Sequence, residues 1–290
     1  MIFRSLKGRK EIVMAIARDK FWMFGVKAHQ DDVHLMPRLH GTKPTSRFRS
    51  RITPAEGAFM LDVPNILMIQ CDGEPAPFSK DALGYMESFC RMDRVLWGSC
   101  GSGGFRTGNE ESFVCQLAEQ YPNITGVFMD DITSTYRKLP DEKERQEKCV
   151  EMLREVKENL KKACRPMDIY ITWYWHEEPY PGMLEQIDGI SLWTWNSDDL
   201  PKLQERFEAI ESLYKDKKIL LGIYMYDFYN RKPVPIELME YQCNYALELL
   251  KAGRIDGMIF EANSVMGAGL PSELWLREWV EKVKYTKVPD

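Results

Sequence analysis

The chain has no apolar run approaching the ~20 residues that a membrane-spanning helix requires, so a membrane is not an expected partner. It has no CxxC pair, and its 7 cysteines are odd in number and scattered, which argues against a disulfide framework and a structural zinc site. A cytoplasmic setting fits that usage, although a secreted chain trimmed of its leader would carry the same pattern. The basic start, Met1-Ile2-Phe3-Arg4-Ser5-Leu6-Lys7, is followed by an apolar stretch over 12–17 that is too short for a signal core and runs into Arg18 and Asp19. That stretch predicts a helix within a 1–20 extension. Positive charge is not in excess either: Lys+Arg 39 against Asp+Glu 44 gives a net charge of -5, which repels a nucleic-acid backbone. Linkers rich in Gly, Pro or Ser are missing, so residues 1–290 are expected to form one domain.

What is present is repetition. Apolar or β-branched runs at 22–28, 65–70, 94–98, 126–129, 169–175, 189–195, 219–226 and 257–260 alternate with segments of helical period at 54–63, 79–92, 110–120, 141–163, 182–186, 200–214, 235–252 and 271–283. Eight strands, each followed by a helix, in a chain of 290 residues specify an α/β fold of the (β/α)8 TIM-barrel type. A doubly wound open sheet would carry a glycine-rich phosphate turn after its first strand. Here the first strand leads into His29-Gln30-Asp31-Asp32, which is no such turn.

A barrel keeps its site at the carboxyl ends of its strands, and these ends carry acids and aromatic rings. His29, Asp31 and Asp32 follow the first strand, Asp72 and Glu74 the second, Trp97 and Ser99 the third, and Asp130 and Asp131 the fourth. The fifth ends in Trp173, Trp175, His176 and Glu177, the sixth in Trp193, Trp195 and Asn196, the seventh in Tyr224, Tyr226 and Asp227, and the eighth in Glu261 and Asn263. Six of the 8 Trp fall within or at the ends of these strands, where barrels normally use branched aliphatics. Rings of this size either pack outward against helices or make flat platforms for the C-H face of a sugar.

The run Gly126-Val127-Phe128-Met129-Asp130-Asp131 resembles the fourth-strand end of barrel glycoside hydrolases. With Gly189-Ile190-Ser191-Leu192-Trp193-Thr194-Trp195 and Gly257-Met258-Ile259-Phe260-Glu261-Ala262-Asn263, the whole chain resembles a glycoside-hydrolase-like TIM barrel, at the level of the superfamily. The Asn-Glu pair that many retaining families place at the fourth strand is missing, as is the DxxDxDxE pattern of chitinase-like barrels. The resemblance implies hydrolysis by two carboxyls flanking the bond. Asp130 is the first candidate, Glu261 its expected partner, and Asp227 the next. Adjacent strand residues point to opposite faces, so Asp130 and Asp131 both face inward only if the strand has already ended. His29, Asp72, Trp97, Asp131, Trp175, His176, Glu177, Trp193, Asn196, Tyr226 and Asn263 are the candidate substrate ligands.

The expected partner is a small-molecule or oligosaccharide substrate, with no cofactor and no metal. The first loop, over 29–53, is a candidate lid. Its cations, Arg38, Lys43, Arg47, Arg49 and Arg51, are interrupted by no acid from Val33 onward, and they suggest capture of an anionic substrate group. Alternatives are a glycan-binding barrel without chemistry, and a metal-assisted hydrolase or lyase using His29, Asp31, Asp32 and His34. The HxH pair common in barrel metallohydrolases is absent. A Schiff-base enzyme would need a buried lysine, for which Lys27 is the strongest candidate.

Overall fold

The computed structural model describes residues 14–30, 32, 50–174 and 178–290. Eight parallel strands close into a barrel: β1 (Phe21–Gly25), β2 (Asn65–Met68), β3 (Arg94–Cys100), β4 (Ile124–Met129), β5 (Asp168–Tyr174), β6 (Gly189–Trp193), β7 (Lys218–Tyr224) and β8 (Gly257–Glu261). Each pairs with its sequence neighbour, and β8 closes on β1. This is the TIM-barrel fold expected from the alternation of strand and helix periods.

The outer layer holds α1 (Pro54–Leu61), α2 (Lys80–Ser88), α3 (Glu110–Gln120), α4 (Glu142–Leu160), α5 (Leu203–Leu213), α6 (Ile236–Lys251) and α7 (Pro271–Val283). Local chemistry sets several of their starts. Thr53 and Glu56 form a reciprocal capping box with Pro54 at the first helical position, while Ser79 and Asp141 accept backbone N–H bonds from Ala82 and Glu144. Among the described residues between β5 and β6 the one helical element is a 3-10 turn, Leu184–Gln186. None of the described helices is long and apolar enough to cross a membrane.

The expected N-terminal helix is not formed by the residues described there. Met14–Ile16 is a strand, antiparallel to Lys287–Pro289, and a 3-10 turn over Ala17–Lys20 leads into β1. The ladder with the C-terminal segment satisfies backbone groups that a helix would otherwise have paired internally.

Alternation along the strands sorts side chains into two cores. Inside the barrel lie Trp22, Leu67, Leu96, Phe128, Tyr170, Trp193, Leu220 and Ile259. Between sheet and helices lies a larger layer that includes Met23, Trp97, Met129, Trp173 and Phe260. The inner core is filled at the amino end and opens at the carboxyl end, where the polar residues gather.

Candidate active site

Strand β4 ends at Met129, and the two residues after it are free of the strand's alternation. Asp130 N–H donates to Cys100 O at 2.8 Å, holding this turn against the end of β3. Asp131 then adopts a left-handed conformation (φ 44°), so both carboxylates line the same cavity. Thr172 on β5 donates its hydroxyl to Asp130 Oδ1 at 2.8 Å. Asp131 is gripped on both oxygens: Oδ1 accepts from Tyr174 OH at 3.0 Å, and Oδ2 from Gly103 N–H at 3.0 Å.

Asp130 is 7% exposed. Burial pushes its carboxyl well above the ordinary carboxylate range, and the neighbouring Asp131 charge adds to the shift; the bonds from Thr172 and the Asp131 backbone oppose it without cancelling it. Burial and a like charge beside it both favour the protonated form of this carboxyl.

Glu261 closes β8, four strands round the eight-strand ring from β4, and so faces Asp130 from the opposite wall. It too is buried, and its peptide bond to Ala262 is cis. In register beside it stand Phe24 on β1 and Tyr224 on β7. Burial raises the Tyr224 phenol well above its usual value, and the charges of Tyr174, Glu261, Asp130 and Asp131 raise it further, so it remains a neutral hydroxyl.

Between these walls lies a cavity of about 310 Å³. Its floor is aromatic: Trp193 meets Phe24 edge-on at 5.5 Å and Tyr224 at 5.0 Å between ring centroids. Trp193 Nε1 donates to Ser191 Oγ at 2.8 Å, which fixes the ring plane. Higher up, Trp195 stacks on Phe228 at 5.8 Å and is 44% exposed. Asp72, in a left-handed turn (φ 51°), stands exposed on the rim. No basic side chain is among the described lining residues.

The cavity therefore brings together Asp72, Asp130, Asp131, Trp193 and Glu261 of the expected set. The rest divide differently. Trp97 is buried in the outer layer against Phe89 and Phe113, because its place on β3 turns it to the helices. Tyr226 is buried in the same layer, edge-on to Phe228. Asp227 is a loop clamp: it accepts from the Ser197 N–H and hydroxyl, from the Asn230 N–H at 2.8 Å and from Asn230 Nδ2 at 2.9 Å. Asn196 serves that clamp through a bond from Asn230. Asn263 ties the end of β1 to the first loop, accepting from Val26 N–H and donating to Val26 O and Ile52 O.

His29 sits on an exposed turn, 3.1 Å from Asp32. Lys27 is held as a cation, its pKa raised by bonds to Asp81 and Glu74, which is the reverse of what a Schiff-base lysine needs. Trp175, His176, Glu177, Asp31, His34 and the cations at 38, 43, 47 and 49 lie outside the described residues. Among the described residues no three His, Cys, Asp or Glu side chains are grouped to hold a metal.

Thr172, Tyr174, Phe24 and Phe228 line the cavity without having been singled out, and Trp195 and Tyr224, named only as strand-end rings and not as candidate ligands, line it too. For two of them a signal existed: Thr172 and Tyr174 alternate with Trp173, so once Trp173 faces the helices they must face the barrel.

No family model matches this chain, and no curated protein matches it in sequence. Solved structures match it in fold. A β-galactosidase from the psychrophilic Marinomonas ef1 superposes with a TM-score of 0.56 at 9% identity over 91% of this chain, which spans only 59% of the galactosidase. An endo-alpha-mannosidase of Bacteroides thetaiotaomicron, in complex with BIS-TRIS-propane, gives 0.55 at 10% identity, covering 91% of this chain and 97% of its own. A Group IV chitinase of Ostrinia furnacalis, in complex with allosamidin, gives 0.53 at 10%, covering 92% and 100%. The barrel is thus built like those of glycoside hydrolases, a likeness of fold alone.

Proposed function

We propose that this barrel is a carbohydrate-active hydrolase that cleaves a glycosidic bond held between Asp130 and Glu261. The observation that carries this reading is the cavity itself, with the buried Asp130 carboxyl on one wall, Glu261 on the facing strand and an aromatic floor between them; burial favours the protonated form of Asp130. Asp130 protonates the departing glycosidic oxygen. Glu261 is the partner on the other face of the sugar, as nucleophile or as base for water. Trp193 and Trp195 offer apolar faces to the ring, and Asp72, Tyr174 and Tyr224 offer polar groups to its hydroxyls.

The substrate class proposed is a small glycoside or oligosaccharide. All seven cysteines are free thiols, which supports work in a reducing compartment such as the cytoplasm. The test is a screen of chromogenic glycosides and oligosaccharides, followed by Asp130→Asn and Glu261→Gln. Each substitution is expected to lower kcat by at least ~100-fold; full activity in either variant rejects the assignment. The stacked pair Trp195 and Phe228 favours one second reading, a barrel that holds a glycan without cleaving it. Saturable binding with no turnover across the screen is its signature.

A further inference from the structure

The reach of Asp131 between two walls of the cavity is not needed to bind a sugar. Asp131 follows Asp130 directly, yet its carboxylate turns away to accept one bond from Gly103 N–H, in the loop after β3, and one from Tyr174 OH at the end of β5, each 3.0 Å long. Both oxygens are occupied by donors of the protein itself.

We infer that Asp131 and Tyr174 form a positioning pair for Asp130, in which the Tyr174 hydroxyl and the Gly103 amide fix the Asp131 carboxylate in place beside the acid. The inference rests on the reading of Asp130 as the acid. The two bonds hold both carboxylate oxygens of Asp131 to the protein frame. A fixed negative charge one residue away then favours the neutral form of Asp130.

The other groups facing Asp130 do not supply that charge from so near. Cys100 on β3 has its thiol pushed up to about 12 by burial, so it is neutral. The Arg106 guanidinium, near Cys100, is bridged to Glu111. Tyr224 on β7 is neutral, for the reasons given above, and Thr172 on β5 donates to Asp130 and stabilises its charged form. Glu261 on the far wall and Asp72 on the rim share the cavity. The Tyr174 hydroxyl donates to Asp131, so the pair is testable as a unit.

The experiment is a carbon-detected carboxyl titration of aspartate-labelled full-length protein, with the Asp130 signal assigned from Asp130→Asn. In Asp131→Asn and in Tyr174→Phe the Asp130 midpoint is expected to move to lower pH. In Thr172→Val it is expected to move to higher pH. The double variant Asp131→Asn/Tyr174→Phe should titrate as Asp131→Asn alone, since the hydroxyl acts on Asp130 through its bond to Asp131.

An Asp130 midpoint that stays put in Asp131→Asn overturns the inference, and so does a further shift in the double variant. If Tyr174→Phe does not fold, Asp131→Asn and Thr172→Val still decide the matter by their opposite signs. No substrate is needed. A protein that hydrolyses no glycan but shows the shifts rejects the proposed function and keeps the pair; one that cleaves glycan without the shifts does the reverse.

Discussion

Trp193 on β6 lies against the backbone of Gly222 on β7 so closely that a Cβ at residue 222 would fall 2.1 Å from Trp193 Cε3. The indole can occupy the barrel interior only because its neighbour has no side chain. Gly222→Ala is therefore expected to drive the ring upward into the cavity, where it meets Phe24 and Tyr224. Overpacking of this kind costs ~1–3 kcal/mol. A lowered Tm and a shifted tryptophan emission maximum would report it, and sugar binding should weaken in the same variant.

Asp130 carries a stability prediction whose sign follows from its raised pKa. The folded state holds this proton more tightly than the unfolded chain, so stability falls as pH rises from the ordinary aspartate range, ~3.9, up to the folded value. Above that value the buried charge is a standing cost. Asp130→Asn removes it and keeps an oxygen for the Thr172 hydroxyl. The variant should melt higher than wild type at neutral pH, with the difference shrinking as pH falls toward the usual carboxylate range and levelling off below it. Equal melting temperatures across pH 4 to 8 would contradict the raised value.

The barrel was legible because its signal is redundant. Eight runs of strand period alternate with segments of helical period, and small errors at their ends, such as β1 stopping at Gly25 rather than residue 28, leave the order intact. The error at β1 has a cause: Val26 N–H is taken by Asn263 rather than by a ladder. The site was only half legible. Alternation says that Trp173 and Thr172 face opposite ways, but choosing which one faces the barrel needs a contact such as Trp173 with Tyr180. Polar strand-end residues pose a second ambiguity. Asp227 and Asn263 are of the types that bind substrate, yet they spend their hydrogen bonds on loops, and several of those partners are far along the chain, Ser197 by 30 positions and Val26 by 237.

Trp195 separates binding from stability. Its ring is stacked on Phe228 with one face toward the cavity and is nearly half exposed. Trp195→Ala is expected to weaken oligosaccharide binding about tenfold, equivalent to ~1.4 kcal/mol. The unfolding free energy should change by less than ~0.5 kcal/mol, as for other exposed positions. Calorimetric titration with the best ligand from the screen, alongside chemical denaturation, would read both. Unchanged affinity would remove Trp195 from the site.

Asp227 provides the contrast that distinguishes a structural carboxylate from a catalytic one. Burial pushes its pKa up, but bonds from Asn230 and Ser197 outweigh burial and hold it below the ordinary range. A lowered folded value means that its contribution to stability is present above the usual aspartate pKa and is lost as pH falls through the folded one. Asp227→Ala leaves the buried Ser197 donors unmatched and removes two bonds from half-buried Asn230, and should cost about 2 kcal/mol. Asp227→Asn keeps one acceptor. It should be milder, flatten the acid loss of stability, and retain most activity at neutral pH. Asp130→Asn is expected to behave in the opposite way, more stable and inactive. Denaturation curves and kcat measured on both variants at pH 7 therefore test the assignment directly: a stable but inactive Asp227→Asn would move the second carboxyl from Glu261 to Asp227.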